Sequence, residues 1–279
     1  MDLFIRHETD YIYSEPVSPG VHYLNFHPQI RSYLQTKSFD IFIDPNPDSL
    51  SSRLDPENNL YHQLWFSGET RKLSIRVDLK VEIMPFNPFN FIVDTHGPQS
   101  TSEYQRNSAS FLEIYRKEDL ATESITAFAR QFIKDDLIEF FASLNLAISD
   151  AWNHHERFEM NIMSPEECFQ KRAGSCRDLA RMLMAMLRSL GYPARFVSGY
   201  CYAPGEEEGH ELHAWVEVYI PGAGWLGLDP SLGLLTTEKY IPVAASFEPS
   251  RTMPVQGFYH GSATSDLRTT VVIQESPFN

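Results

Sequence analysis

The chain has 279 residues, enough for one large domain or two modest ones with a buried core. It carries 23 Lys and Arg against 37 Asp and Glu, a formal net charge of −14, and 13% of its residues are aromatic. This acidic balance argues against binding to nucleic acid or anionic lipid, and the aromatic content argues against a disordered chain.

The sequence contains no pattern typical of a membrane span or a secretory leader. No apolar stretch approaches the length of a membrane span, and four charged side chains fall among the first ten residues, where a secretory leader needs an apolar run. The three cysteines, Cys168, Cys176 and Cys201, cannot all pair within the chain. An odd count without an export signal predicts free thiols in a reducing, cytoplasmic environment.

Residues 1–115 are predicted to form an N-terminal antiparallel β domain that resembles a sandwich. Five segments alternate apolar and polar side chains as half-buried strands do. They are residues 11–13, 21–26, 39–43, 60–66 and 73–83. Turn-forming residues at 44–49 and 55–59 lie between them, a spacing typical of a sandwich or small barrel. Because no cluster of chemically reactive residue types occurs here, we expect a scaffold or substrate-edge role.

Turn-rich residues 85–90 and 95–103 mark a boundary, after which a second domain is predicted over residues 116–279. Helical spacing begins at residues 124–133 and 135–152, and Ser164 followed by proline and two acids predicts a further helix start. Strands are predicted at 195–202, 212–220, 225–229 and 267–273. The chain is therefore assigned to the α+β class.

Cys176 is predicted to lie at the N-terminal end of an amphipathic helix, directly after Gly174 and Ser175. The apolar residues that place one face of this helix in the core are Leu179, Leu183, Met186 and Leu190. The unpaired amides and dipole at a helix start favour an anion, which lowers a thiol pKa and suits the same amides to hold an oxyanion. The alternative is a buried structural cysteine.

The strand predicted over residues 212–220 has apolar residues at its even positions, so His213 faces away from its apolar side. If Tyr219 pairs with Trp225 across a five-residue connection, Asp229 lies on the same face as His213 and diagonal to it. A four-residue connection would instead place the imidazole and the carboxylate on opposite faces.

Cys176, His213 and Asp229 then supply a thiol nucleophile, a base and a carboxylate that orients the imidazole. Trp215 and Trp225 are candidate substrate-binding residues that line a cleft, although cross-strand aromatic packing explains them equally well.

Five motifs occur in the order found in one known family. They are Gly174-Ser-Cys176-Arg-Asp178, Gly191-Tyr-Pro-Ala-Arg-Phe-Val-Ser-Gly-Tyr200, His213-Ala-Trp215, Gly224-Trp225 and Asp229-Pro230. Together they resemble the bacterial transglutaminase-like superfamily, whose members are often described as cysteine proteases. Residues 11–17 and 55–59 are similar to that family's N-terminal β region and residues 254–261 to its C-terminal tail, so the resemblance covers most of the chain.

The resemblance implies a papain-like, transglutaminase-like core, with a helix bundle packed on an antiparallel sheet and a triad at Cys176, His213 and Asp229. It also implies an enzyme that acts on amide bonds of a peptide or protein substrate through an acyl-enzyme, without metal or organic cofactor. The family often has serine before the histidine and Thr-Asn after the Asp-Pro. This chain has Leu212 and Ser231-Leu instead, which affects local contacts and substrate preference.

Several functions stay open on this basis. The leading hypothesis is a cysteine hydrolase acting on peptide or side-chain amides. The alternatives are an acyl transferase that uses an amine in place of water, an amidase that releases glycans, and a silent peptide-binding module that keeps the fold.

Other polar residues near these motifs receive plainer interpretations. His210 and His213 lie three residues apart, which on a strand points them in opposite directions, so no metal site is predicted. Asp178 is assigned to the helix N-terminus, because a carboxylate beside the thiol would raise its pKa. His154 and His155 are interpreted as surface residues, residues 206–208 as a solvated loop, and the other two cysteines as ordinary buried thiols.

Overall fold

The computed structural model describes residues 1–93, 110–117, 120–157, 161–205 and 212–278. Its first five strands are β1 (Asp2–Leu24), β2 (Leu34–Asp44), β3 (Ser49–Leu54), β4 (Leu60–Trp65) and β5 (Thr70–Ile83). They form an antiparallel sheet in the order β2-β5-β1-β4-β3, which confirms the predicted N-terminal antiparallel β domain.

β1 is long because different parts of it pair with different neighbouring strands. Its first half pairs with β5, the register shifts between Ile12 and Val17, and its end pairs with β4. Alternate residues such as Leu3 and Ile5 are fully buried, as the period of two along a strand requires.

The end of the chain returns to this N-terminal sheet. β13 (Val255–His260) and β14 (Ser265–Gln274) both pair antiparallel with β1. Residues 267–273, predicted as a strand that follows those of the second half, lie in β14 and pair with β1 of the N-terminal sheet. Val271 and Ile273 pack in the same core as Leu3, because pairing with β1 places their apolar side on that core. The domain boundary at residue 115 stays a prediction.

The second sheet contains β8 (Ala194–Cys201), β9 (Leu212–Ile220), β10 (Gly224–Asp229), β11 (Leu234–Leu235) and β12 (Tyr240–Ser246). It is antiparallel, in the order β11-β10-β9-β8-β12. A separate parallel pair joins β6 (Asn153–His154) to β7 (Ala173–Gly174).

The helices are α1 (Glu123–Arg130), α2 (Leu137–Ala151), α3 (Pro165–Lys171) and α4 (Cys176–Ser189). At the start of α3, the residue directly before the helix caps it: the Ser164 side chain accepts a hydrogen bond from the Glu167 amide, as predicted. α4 packs on β8 and β9, and Leu179 and Leu183 are fully buried there. Strands dominate this mixed architecture, and a helix bundle stays a prediction. None of the helices in the described ranges is both long and apolar enough to cross a membrane.

The turn between β3 and β4 fixes the first sheet against the second. The Asn59 side chain donates to the Ala245 carbonyl and accepts from the Ala245 amide, both at 2.9 Å. Nearby, Glu57 accepts from the Tyr115 hydroxyl and the Phe247 amide, each at 3.0 Å. These contacts hold β12, the strand that begins with Tyr240, against the N-terminal strands.

Candidate active site

Cys176 is the first residue of α4, as the sequence predicted. Ser175 precedes it with an extended backbone and is anchored by Asp178, whose Oδ2 accepts from the Ser175 amide at 2.8 Å and from its hydroxyl at 2.7 Å. This contact closes the first turn of the helix and leaves Cys176 9% exposed at the helix N-terminus. The thiol therefore faces the positive end of the helix dipole.

Asp178 is fully buried and ties a preceding loop to the same turn. Both of its oxygens accept from the Arg157 guanidinium, at 2.8 and 2.9 Å, and Oδ1 accepts from the Met163 amide at 2.8 Å. Burial by itself would raise the pKa of Asp178. The hydrogen bonds from Arg157 and the amide donors have a larger, opposite effect, so the pKa is lowered overall and the carboxyl is ionised. Gly174 is needed beside it, since a Cβ there would lie 2.8 Å from the Cβ of Asp178. Asp178 thus serves the helix N-terminus, as the sequence indicated.

The hairpin of β9 and β10 has the register on which the sequence argument depended. Tyr219 pairs with Trp225, so the connection contains five residues and His213 and Asp229 share a face. His213 Nε2 lies 2.7 Å from Asp229 Oδ2, and the carboxylate is fully buried. The predicted contact between imidazole and carboxylate is present.

His213 and Asp229 each stabilise the charged form of the other. Burial lowers the pKa of His213, but the charge and hydrogen bond of Asp229 outweigh it and raise that pKa well above its usual value. Burial raises the pKa of Asp229, while His213 and the neighbouring hydroxyls lower it overall. An imidazolium facing a carboxylate is the expected ionisation.

The imidazoles of His213 and His154 both act on the ionisation of the Cys176 thiol. Burial raises the pKa of the thiol, but these two imidazoles lower it more, to about 7. Because Nε2 of His213 faces Asp229, Nδ1 is the nitrogen left for the thiol. The structure therefore places His213 against Asp229 and near enough to Cys176 to lower the pKa of its thiol, and the catalytic triad itself stays a prediction.

Asp229 is held by donors that the triad motif does not name. Ser231 donates to Oδ1 from its amide at 3.0 Å and from its hydroxyl at 2.5 Å, and the Tyr240 hydroxyl donates to Oδ2 at 2.8 Å. Asn145 anchors the backbone by donating to the Asp229 carbonyl at 3.0 Å. Sequence reasoning missed Tyr240 and Asn145, because nothing in their local pattern links them to a residue that is 11 or 84 positions away.

The two tryptophans lie in different places. Trp215 is 1% exposed and stacks on the His213 ring, with centroids 6.3 Å apart and planes at 29°. Trp225 packs edge-on against Tyr219 and lies 4.1 Å from the Arg195 guanidinium. Trp215 is thus a support beneath the imidazole with little surface to offer a ligand, and cross-strand packing accounts for Trp225. A substrate contact by either indole stays a prediction.

His154 was interpreted as a surface residue, and it is exposed, yet the nearby Cys176 thiol raises the pKa of its imidazole. Two adjacent histidines gave no local sign of this proximity, since it arises only when β6 pairs with β7. His210 and residues 206–208 lie outside the described residues, as do residues 95–103.

The other two thiols have different surroundings. Cys168 is fully buried, and burial raises the pKa of its thiol to about 12. Cys201 is half-buried, and burial raises the pKa of its thiol as well. Both fit the interpretation of ordinary packed cysteines.

We expect iodoacetamide to alkylate Cys176 fastest, with a rate that rises through a pH of about 7 and falls below it as the thiolate is protonated. Mass spectrometry after timed labelling at a series of pH values would follow each cysteine separately. In His213→Ala the midpoint for Cys176 should move upward, because the imidazolium no longer stabilises the thiolate. A Cys176 that titrates above about 8.5 in the unaltered protein would contradict the thiolate–imidazolium pair.

A helix that begins at a cysteine, packed on an antiparallel sheet whose adjacent strands carry a histidine and an aspartate, defines a transglutaminase-like α+β fold. The profile of the transglutaminase-like superfamily matches residues 126–230, and that of the bacterial transglutaminase-like N-terminal region matches residues 3–82. Residues 126–230 therefore form a transglutaminase-like core and residues 3–82 a bacterial transglutaminase-like N-terminal region, as the sequence motifs indicated.

Individual relatives are consistent with this assignment. An uncharacterized protein of Mycobacterium tuberculosis is 26% identical over 284 residues, which cover 94% of this chain and 89% of that protein. A protein-glutamine gamma-glutamyltransferase of Pseudomonas aeruginosa is 33% identical over 93 residues, covering 28% of this chain and 14% of that enzyme. A crystal structure of a candidate cysteine protease from Cytophaga hutchinsonii aligns with a TM-score of 0.75 at 15% identity, covering 100% of this chain and 92% of the other. That last likeness establishes the fold.

Proposed function

We propose that this protein is a cysteine hydrolase that cleaves peptide or side-chain amide bonds through an acyl-enzyme on Cys176. The observation that carries the proposal is the 2.7 Å contact of His213 Nε2 with the buried Asp229 carboxylate, beside the Cys176 thiol, whose pKa His213 lowers. A nucleophile, a base and an orienting group in contact are the arrangement that amide cleavage through a thiol requires.

In the acylation step, the Cys176 thiolate attacks the carbonyl carbon, a C–S bond forms and the π electron pair moves to oxygen. The intermediate collapses as the C–N bond breaks, and the His213 imidazolium gives its proton to the departing amine. Asp229 keeps Nδ1 of the ring directed at the thiol and stabilises the charged ring before the proton is lost.

In the deacylation step, neutral His213 removes a proton from water as that water attacks the thioester carbon. The C–S bond then breaks, the acid leaves and the thiolate–imidazolium pair is restored. Each transfer uses groups of the chain and the substrate together with one water molecule. A peptide or protein substrate and a cytoplasmic location are part of the same proposal.

Acyl transfer to an amine is the second candidate, and the similarity to the protein-glutamine gamma-glutamyltransferase of Pseudomonas aeruginosa favours it. The acylation step is shared. The difference lies in whether water or a primary amine reaches the thioester, which depends on how well the site excludes water.

The decisive experiment incubates the chain with a glutamine-rich protein and a fluorescent primary amine. A hydrolase releases ammonia or new amino termini without incorporating the amine, whereas a transferase makes the protein fluorescent. Cys176→Ala is the matched control and should abolish either product. If the unaltered chain forms neither product and also shows no burst of p-nitrophenol with p-nitrophenyl acetate, the enzyme proposal is wrong and a silent binding module replaces it.

A further inference from the structure

Three exposed leucines lie beside the candidate triad, and the proposed reaction steps do not use them. Leu232 and Leu234 flank Gly233 in the turn from β10 to β11, and they are 51% and 57% exposed. Leu146 of α2 is 52% exposed, and its Cδ1 lies 3.2 Å from the place that a Cβ on Gly233 would occupy. The three side chains, here called the leucine patch, therefore surround one glycine.

The backbone beneath the leucine patch is fixed to Asp229. The Gly233 amide donates to the Asp229 carbonyl at 2.9 Å, and Leu234 pairs with Asp229 across β10 and β11. Asn145, the residue before Leu146 on α2, donates to the Asp229 and Leu234 carbonyls, each at 3.0 Å. The patch thus rests on the helix and the strand end that hold the Asp229 carboxylate, and its position relative to that carboxylate is fixed.

The composition of this turn favours an apolar partner. Residues 230–237 carry no charged side chain, although 22% of the whole chain is charged. One exposed leucine is ordinary on a protein surface, whereas several together favour contact with another apolar group. Leu232 also stands where the family pattern often has asparagine, so the patch belongs to a departure of this chain from that pattern.

The chemistry of an acyl-enzyme indicates which part of a substrate meets the patch. The acyl part becomes bonded to the sulfur of Cys176, whereas the leaving amine takes its proton from His213 and so departs on that side. Ser231 Oγ lies 3.5 Å from His213 Nε2, and the amide of the next residue, Leu232, donates to Asp229 Oδ1 at 3.3 Å. The patch therefore begins on the His213 side. Because an extended peptide advances about 3.3–3.6 Å per residue, side chains two or three residues beyond the cleaved bond can reach it.

We propose that the leucine patch binds an apolar side chain in the amine part of the substrate, so that the protein favours peptide bonds followed by aliphatic residues. This specificity rests on the proposed acyl-enzyme function. In hydrolysis the patch holds the peptide that will depart, and in transfer to an amine the same surface selects the acceptor. The bound aliphatic side chain and the exposed leucines leave water together, which supplies the preference.

The test examines the amine part alone, by letting two amines compete for one acyl-enzyme. Cys176 is acetylated with p-nitrophenyl acetate in the presence of leucyl-leucinamide and seryl-serinamide at equal concentrations. The amine nitrogen attacks the thioester carbon, a C–N bond forms, His213 takes the amine proton and the C–S bond breaks. Mass spectrometry measures the two acetylated dipeptides, and Cys176→Ala supplies the uncatalysed background. The unaltered chain should form the leucyl product about tenfold faster than the seryl product.

Variants of the patch connect this ratio to particular side chains. Leu232→Ser and Leu234→Ser should each bring the product ratio towards one, because a hydroxymethyl group replaces an apolar contact. Leu54→Ser is the matched control, since Leu54 is 62% exposed on β3 in the N-terminal sheet, and it should keep the tenfold ratio. If water outcompetes both amines, the two dipeptide amides are compared as inhibitors of p-nitrophenol release, and the leucyl compound should act at about tenfold lower concentration.

Several results would overturn the specificity while leaving the hydrolase proposal in place. They are equal use of the two amines by the unaltered chain, equal inhibition in the second assay, and a tenfold ratio that survives in both patch variants. A dimer that sediments as a monomer only after Leu232→Ser would also overturn it, since a second copy of the chain would then cover the patch. An unaltered chain that is never acylated would overturn both proposals together.

Discussion

Replacing Cys176 with alanine is expected to abolish the burst of p-nitrophenol released from p-nitrophenyl acetate. His213→Ala is expected to lower the rate of that burst by roughly four orders of magnitude or more. The first change removes the atom that becomes acylated. The second removes the group that stabilises the thiolate and protonates the leaving group, and triad residues that act as a unit each carry nearly the whole effect. Asp229→Asn should be milder, since it keeps thiol and imidazole and weakens only their orientation.

The burst is measured by stopped-flow absorbance under excess ester, and thermal unfolding establishes that each variant is folded. Cys168→Ala and Cys201→Ala are the matched controls, because both thiols have raised pKa values and neither belongs to the triad. A burst of normal size in Cys176→Ala would contradict the proposed mechanism.

Replacing Asp178 with alanine is expected to lower the free energy of unfolding by about 3–5 kcal/mol. The change leaves the Arg157 guanidinium, which is 11% exposed, without its carboxylate, and it removes the acceptor used by the amides of Ser175 and Met163. One substitution removes an ion pair and the acceptor of two buried amides at once, so the cost exceeds that of an ordinary hydrogen bond.

Urea unfolding of Asp178→Ala beside the unaltered chain measures this cost. Asp178→Asn should lie between them, since an amide keeps an acceptor oxygen but loses the charge. Asp266→Ala is the matched control: its carboxylate pairs with Arg268 at 66% exposure, where an ion pair contributes at most about 1 kcal/mol. A loss for Asp178→Ala no larger than that of the control would show that Asp178 does not hold the start of α4.

Two parts of the candidate site were predictable because they depend on local geometry. The start of α4 at Cys176 follows from glycine, serine and an apolar repeat within one short segment. The contact of His213 with Asp229 follows from strand parity once Tyr219 is paired with Trp225, and these residues lie in a single hairpin. Joining the thiol to the hairpin required more than local pattern, and there the ordered family motifs supplied the expectation.

For the fold as well, the sequence predicted individual helices and strands but not how the strands pair. Alternation indicated the N-terminal strands, helical spacing indicated α1, α2 and α4, and the N-cap at Ser164 indicated α3, but none of these shows which strands become neighbours. The pairing of β14 with β1 joins residues at opposite ends of the chain, Phe4 with Gln274 for example. Periodicity within a segment carries no information about such a distant partner.

By itself, then, the sequence determined the class of the chain, the strands of its first part, the helix that presents Cys176 and the face that carries His213 and Asp229. Only the tertiary structure decided that His154 lies near enough to the Cys176 thiol for the pKa of its imidazole to be raised, that Tyr240 donates to Asp229 and that Trp215 lies beneath the imidazole of His213. The reason is physical: the first set depends on the backbone period of one helix or hairpin, whereas the second depends on where separate elements pack against each other.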